Sequence, residues 1–110
     1  EYSILTAEIS RATFGINPSE HKLIKGLKSQ NLRDHMTDLE LIFSMLGEAS
    51  TKEITVNTDA KGFEENKRAA KAGGKIAGDA RKQLELKSGK KVVTTDNYLP
   101  EGKKPKKLKE

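Results

Sequence analysis

Residues 31–49 read NLRDHMTDLELIFSMLGEA, the most apolar run in the chain. Thr37 is placed as a helix N-cap, and Glu40 three residues later completes a capping box in which each side chain serves the other's backbone N–H. Met36 before the cap and Leu41 at the fourth helical position are spaced for a hydrophobic staple. Asp38 and Glu40 put negative charge in the first turn, where the helix dipole favours it. Leu39, Ile42, Phe43 and Leu46 share one face, with Leu41 and Met45 on its flank. So wide an apolar stripe predicts a central helix buried in a core.

The flanking segments read as further helices. Ser3 is placed to cap a first helix over 4–14, with Leu5, Ile9 and Ala12 on one face and Gly15 closing it. Asn17, Pro18 and Glu20 open a second helix over 18–29 with a capping box and a proline at its first position. Its predicted buried stripe is Leu23, Ile24 and Leu27. Lys22, Lys25 and Lys28 recur on the opposite side as a solvated face. His21 reads as surface. Arg33, Asp34 and His35 sit together before the central cap. The Asp–His pair has no nucleophile beside it, so a structural role in the loop is expected. The central helix runs over 37–56, with Gly47 marking a kink or a close contact and Glu48 paired with Lys52.

A fourth helix, over 60–88, is capped by Thr58 or Asp59 and closed by Ser88 and Gly89. Ala69, Ala70, Gly73, Gly74, Ala77, Gly78 and Ala80 recur at helical spacings along it. Two adjacent glycines cost about 2 kcal/mol of helix propensity, so a close packing contact must offset them. The glycines match neither the dinucleotide-binding nor the P-loop spacing. Lys67, Arg68, Lys71, Lys75, Arg81 and Lys82 flank the small residues and are the candidate nucleic-acid or partner-binding residues. No aromatic is interleaved with them to stack bases.

Residues 90–98, KKVVTTDNY, have no helical period and read as an extended arm docked through Val92, Val93, Tyr98 or Leu99. Residues 100–110 hold five lysines, two prolines and a glycine and read as a disordered basic tail. The expected architecture is all-α: a bundle of about four helices in a domain over 1–99, then the arm and the tail.

Composition narrows the function. The chain has 110 residues with 34% hydrophobic and 34% charged content, a mean hydropathy of −0.72 and a net charge of +5. Residues 1–60 carry −3 and residues 61–110 carry +8. That asymmetry suits a nucleic acid or an acidic partner, or a Lys-rich solvated surface. The low apolar content and the five aromatics suggest a homo-oligomer. There is no cysteine, which removes thiolate chemistry, disulfides and sulfur-rich metal sites and fits the cytoplasm. No metal-ligand cluster, nucleophile–base set or paired carboxylates stand out, so no catalytic residue, metal or cofactor is assigned. No run is long enough for a membrane span. The first residue is Glu1, which suggests a fragment or a processed product.

The segments ISRATFGINPSEHKLIKGLK (9–28), NLRDHMTDLELIFSMLGEAST (31–51) and DAKGFEENKRAAKAGGKIAGDARKQLELKSGKKVVTTDNYLP (59–100) together resemble the bacterial DNA-damage-inducible protein D family. The likeness spans nearly the whole chain and corresponds to the family's C-terminal portion, without the BRO-N-type domain that usually precedes it. It implies a non-enzymatic protein of the SOS DNA-damage response. The implied partners are a RecA-type recombinase and single-stranded DNA, with destabilisation of the recombinase filament as the activity. The resemblance carries over no catalytic residues. The alternatives from the residues themselves are a direct nucleic-acid-binding module and an oligomerisation domain whose Ala/Gly helix packs on its copy.

Overall fold

Two capping boxes fix where helices start. Asn17 and Glu20 exchange backbone hydrogen bonds at the head of α2 (Pro18–Ile24), and Thr37 and Glu40 do so at the head of α3 (Asp38–Asn57). The computed structural model describes residues 2–97. α1 spans Tyr2–Phe14, a 3-10 turn spans Leu32–His35, and α4 spans Gly62–Ser88. Residues 91–97 follow as a non-helical arm. The fold is all-α, with four helices and no strand among the described residues. α4 packs along α1 and α3, which also touch each other. The tail and the docking of Tyr98 and Leu99 lie outside the described residues.

Several boundaries differ from the sequence reading. α1 begins at Tyr2, so Ser3 lies inside it. α2 stops at Ile24, five residues before its expected end. Gly26 takes a left-handed conformation (φ 73°), and the Gly26 and Leu27 N–H groups donate to the Leu23 and Lys22 carbonyls. This is a Schellman ending. Asp59 does the same for α3 at φ 53°, with the Asp59 and Ala60 N–H groups donating to Val56 and Thr55. Asp59 therefore closes α3 and does not cap α4, whose N-cap is Lys61 with no side-chain capping bond.

The small residues of α4 bring the helices close. Ala69, Ala70, Gly73, Gly74, Ala77 and Gly78 are all buried. A Cβ on Gly73 would stand 2.5 Å from the Thr51 backbone nitrogen on α3, and one on Gly74 would stand 2.8 Å from the Ile9 carbonyl on α1. A Cβ on Gly47 would meet Thr13 Oγ1 at 2.7 Å. Gly47 is thus a contact point between α3 and α1. The Ala/Gly stripe is filled by helices of the same chain and is not open to a copy.

The core is built differently from the expected one. Its large members are Phe14, Met36, Phe43 and Val92, with Leu41, Leu84 and Val93 packed against them. Met36 is a member of this cluster and Leu41 packs against it, where a staple would place them. Of the expected stripe on α3 only Phe43 is buried. Leu39, Ile42, Met45 and Leu46 are exposed. Of the stripe expected for α2, Leu27 lies past the helix end and is buried, but Leu23 is 76% exposed and Ile24 also faces solvent. His21 and Lys25 occupy the inside instead. Helical period locates a face but not its direction: glycines bring α4 close to α1 and to the later turns of α3, while Glu40 and Phe43 take the inside at the start of α3.

Gly73→Ala and Gly74→Ala should each lower stability by about 1–3 kcal/mol, the range for overpacking. At an open helical position the same change raises stability by about 1 kcal/mol. Urea unfolding measures the sign, and a gain at both glycines would mean that the helices separate without cost.

Candidate nucleic-acid or partner interface and the clasp beneath it

α4 carries all six candidate cations, and the structure sorts them by helical angle. Arg68, Lys71, Lys75 and Lys82 are exposed. Their spacings of 3, 4 and 7 residues put them on one face. At 1.5 Å per residue the row is about 21 Å long. Lys75 Nζ pairs with Asp79 at 3.0 Å, both largely exposed. Lys67 is half-buried with its ammonium 5.9 Å from the centre of the Phe63 ring. Arg68 also borders a shallow groove between the end of α3 and the start of α4.

Arg81 does not belong to that row. Its Nε donates to the Thr13 carbonyl at 2.7 Å, and its guanidinium pairs with Glu85 Oε1 at 2.9 Å. It ties the last turn of α1 to α4. Glu85 Oε2 in turn accepts the Val92 N–H at 2.9 Å. Burial pushes the Glu85 carboxyl up, but the Val92 N–H and Arg81 outweigh it and hold the group below its ordinary 4.5.

A second carboxylate fastens the same arm. Glu40 is 0% exposed. Its Oε1 meets Lys25 Nζ at 2.7 Å and accepts the Thr37 N–H at 2.8 Å. Its Oε2 meets His21 Nε2 at 3.3 Å and accepts the Thr94 N–H at 3.3 Å. Burial again works to raise this carboxyl. The hydrogen bonds from His21, Lys25 and Thr37 and the Lys25 charge prevail and hold it below 4.5. Lys25 Nζ also donates to the Asp96 carbonyl, and Asn97 Nδ2 donates to the Lys25 carbonyl at 3.1 Å. Asn97 Oδ1 faces His35 Nδ1 at 2.8 Å.

Three assignments are corrected here. His21 is not a surface residue: it is fully buried, packed edge-on against Phe14 with ring centres 5.0 Å apart, and its Nδ1 has no hydrogen-bond partner. Lys25 is not solvated, because the early end of α2 turns it inward. His35 has the structural role expected of it, at Asn97. Glu48 pairs with Arg33 at 2.6 Å and not with Lys52. Sequence reading missed Glu40 as more than a cap. No local signal marks it, because its partners His21 and Thr94 lie 19 and 54 residues away in sequence.

An apolar cleft of about 180 Å3 opens between α1, the 3-10 turn and α3. Its hydroxyls are engaged in the fold: Ser10 on the Ile16 carbonyl, Thr13 on the Gly74 carbonyl and Ser44 on the Met36 sulfur. No three His, Asp or Glu side chains gather to hold a metal ion among the described residues. No helix among them is long and apolar enough to cross a membrane. Compared with family models, curated proteins and solved structures, the chain matches none.

Stability should fall in acid. Glu40 and Glu85 have folded-state values below their unfolded ones, so their contribution is complete above about pH 4.5 and is lost as pH drops through the folded values. Thermal unfolding against pH should show this loss, and Glu40→Gln should shrink it. Lys25→Met leaves a buried carboxylate without its cation and should cost about 3–5 kcal/mol. Amide exchange at Thr94 and Asp96 should accelerate in the same variant; unchanged exchange there would detach the arm from the Lys25–Glu40 pair.

Proposed function

We propose that this chain is a non-enzymatic interaction module of the DNA-damage response. It engages a RecA-type recombinase filament on single-stranded DNA, in the cytoplasm, through the outer face of α4. The observation that carries this reading is the row of Arg68, Lys71, Lys75 and Lys82, four exposed cations on one rigid helix. A row about 21 Å long suits a linear polyanion or an acidic strip on a partner better than a compact ligand. The resemblance to the DNA-damage-inducible protein D family names the partner. The Ser10, Thr13 and Ser44 hydroxyls of the apolar cleft are already bonded within the fold, which favours binding over catalysis.

Binding through this face neutralises phosphates or carboxylates. A single-stranded site that meets four cations gives a salt slope of about −3 in log K against log[salt]. A filament contact made partly by protein gives a shallower slope. Arg81 stands outside the interface, so its loss should lower stability and not affinity.

The test is fluorescence anisotropy on labelled single-stranded DNA, bare or coated with recombinase. The expected result is a signal change on coated DNA that is lost in the Arg68→Glu/Lys71→Glu/Lys75→Glu/Lys82→Glu variant. A rise on bare DNA of equal affinity would replace filament engagement with direct DNA binding. Full activity of the fourfold variant would remove α4 from the interface.

A further inference from the structure

α3 carries a row of large apolar residues, yet it turns that row outward. Its inner face carries Glu40, Phe43, Ser44 and Gly47. Leu39, Ile42 and Leu46 are 43%, 55% and 37% exposed, and Ala49 is exposed after them. The spacings from 39 to 42, 46 and 49 are 3, 4 and 3 residues. That is the seam of a helix pair, in which alternate three- and four-residue steps keep apolar knobs facing a partner. Met45 widens the same face. A row of this size is more than the scattered apolar residues an ordinary surface carries.

We propose that a second copy of this chain covers the seam, with the two α3 helices antiparallel about a two-fold axis. The face is complementary to itself in that arrangement. Ile42 meets Leu46 of the second copy, and Leu39 meets Ala49, so each large residue at one end faces a small one. Asp38 flanks the seam at its start and Lys52 flanks it past its end. Antiparallel pairing sets each Asp38 beside the other copy's Lys52, twice per dimer. The next seam position is Glu53. A parallel pair would put two Glu53 carboxylates side by side in the seam. The antiparallel register leaves them beyond the last layer, in water. The contact is isologous and closes on itself, and it leaves the cation row of α4 out of the seam.

The experiment is sedimentation equilibrium of the full chain over a dilution series. The expected mass is twice the 12.1 kDa of one chain. Ile42→Glu/Leu46→Glu should reduce it to one chain with the helical circular dichroism unchanged, since both side chains lie outside the core. Asp38→Lys and Lys52→Asp should each weaken the dimer by about tenfold or more, because each sets like charges together. The double exchange should restore it to within about threefold. A single-chain mass at every concentration overturns the proposal. If Ile42→Glu/Leu46→Glu then also loses recombinase-coated DNA, the seam belongs to that partner. A dimer untouched by Ile42→Glu/Leu46→Glu overturns it as well. Charge reversals that fail to compensate overturn the antiparallel register.

Discussion

One buried carboxylate organises the polar interior. Glu40 sits at the first turn of α3, where its backbone and side chain close the capping box with Thr37. The same side chain then collects Lys25 and His21 from the α2 segment and the Thr94 N–H from the arm. Removing a charge from water costs several kcal/mol, and only a full set of donors offsets it. That requirement makes the contact selective. Any packing that misplaces α2 or the arm leaves the carboxylate short of a donor. The short α2 has little apolar area of its own to bury, with Leu23 and Ile24 in solvent. Its position is set by this charge pair and by Leu27 more than by a helix stripe.

The arm shows the same logic at a second point. Val92 and Thr94 donate their N–H groups to Glu85 and Glu40 respectively. Between these polar fixings Val92 and Val93 join the core cluster of Phe14, Met36 and Phe43. Arg81 joins this system to α1 through the Thr13 carbonyl. The fold therefore closes at its C-terminal end by charged hydrogen bonds spread over four elements, and this offsets the small apolar core of a chain with 34% hydrophobic residues.

Local signals were legible in the sequence where local physics decides them. Both capping boxes, the Gly15 and Gly89 stops, the docking of Val92 and Val93 and the all-α class follow from propensity and hydrogen-bond supply. The stop of α2 was carried by Gly26, but Lys22, Lys25 and Lys28 suggested a longer helix by their period. The inside of α3 was not legible. Its apolar residues have a helical period, and such a stripe ordinarily faces a core. What reverses it is the glycine content of α4, about thirty residues away in sequence. Once Gly73 and Gly74 bring the backbones of α3 and α1 within reach of a missing Cβ, α3 can offer only small or singly fitted side chains inward. Of the six candidate cations, the period places four together. Arg81 falls off that face by its helical angle, and the Thr13 carbonyl that it binds is a tertiary fact that the angle alone does not supply.

The three faces of α3 and α4 follow from that one choice of close packing. Glycine and alanine supply contact area through backbone atoms, so the large apolar residues of α3 are released from the interior. They remain at helical spacing because the helix is regular, and they form a row that water penalises. On α4 the same division puts the small residues inside and leaves Arg68, Lys71, Lys75 and Lys82 exposed on the far side. A bundle with this interior thus presents an apolar row on one helix and a cationic row on the next, both rigid. Rigidity matters for binding, since side-chain and backbone ordering would otherwise subtract from affinity. If two copies pair on the apolar row, each assembly carries two cation rows at fixed separation. A repeating polyanion such as a filament could then engage both, and the second contact would form at the effective concentration set by the first.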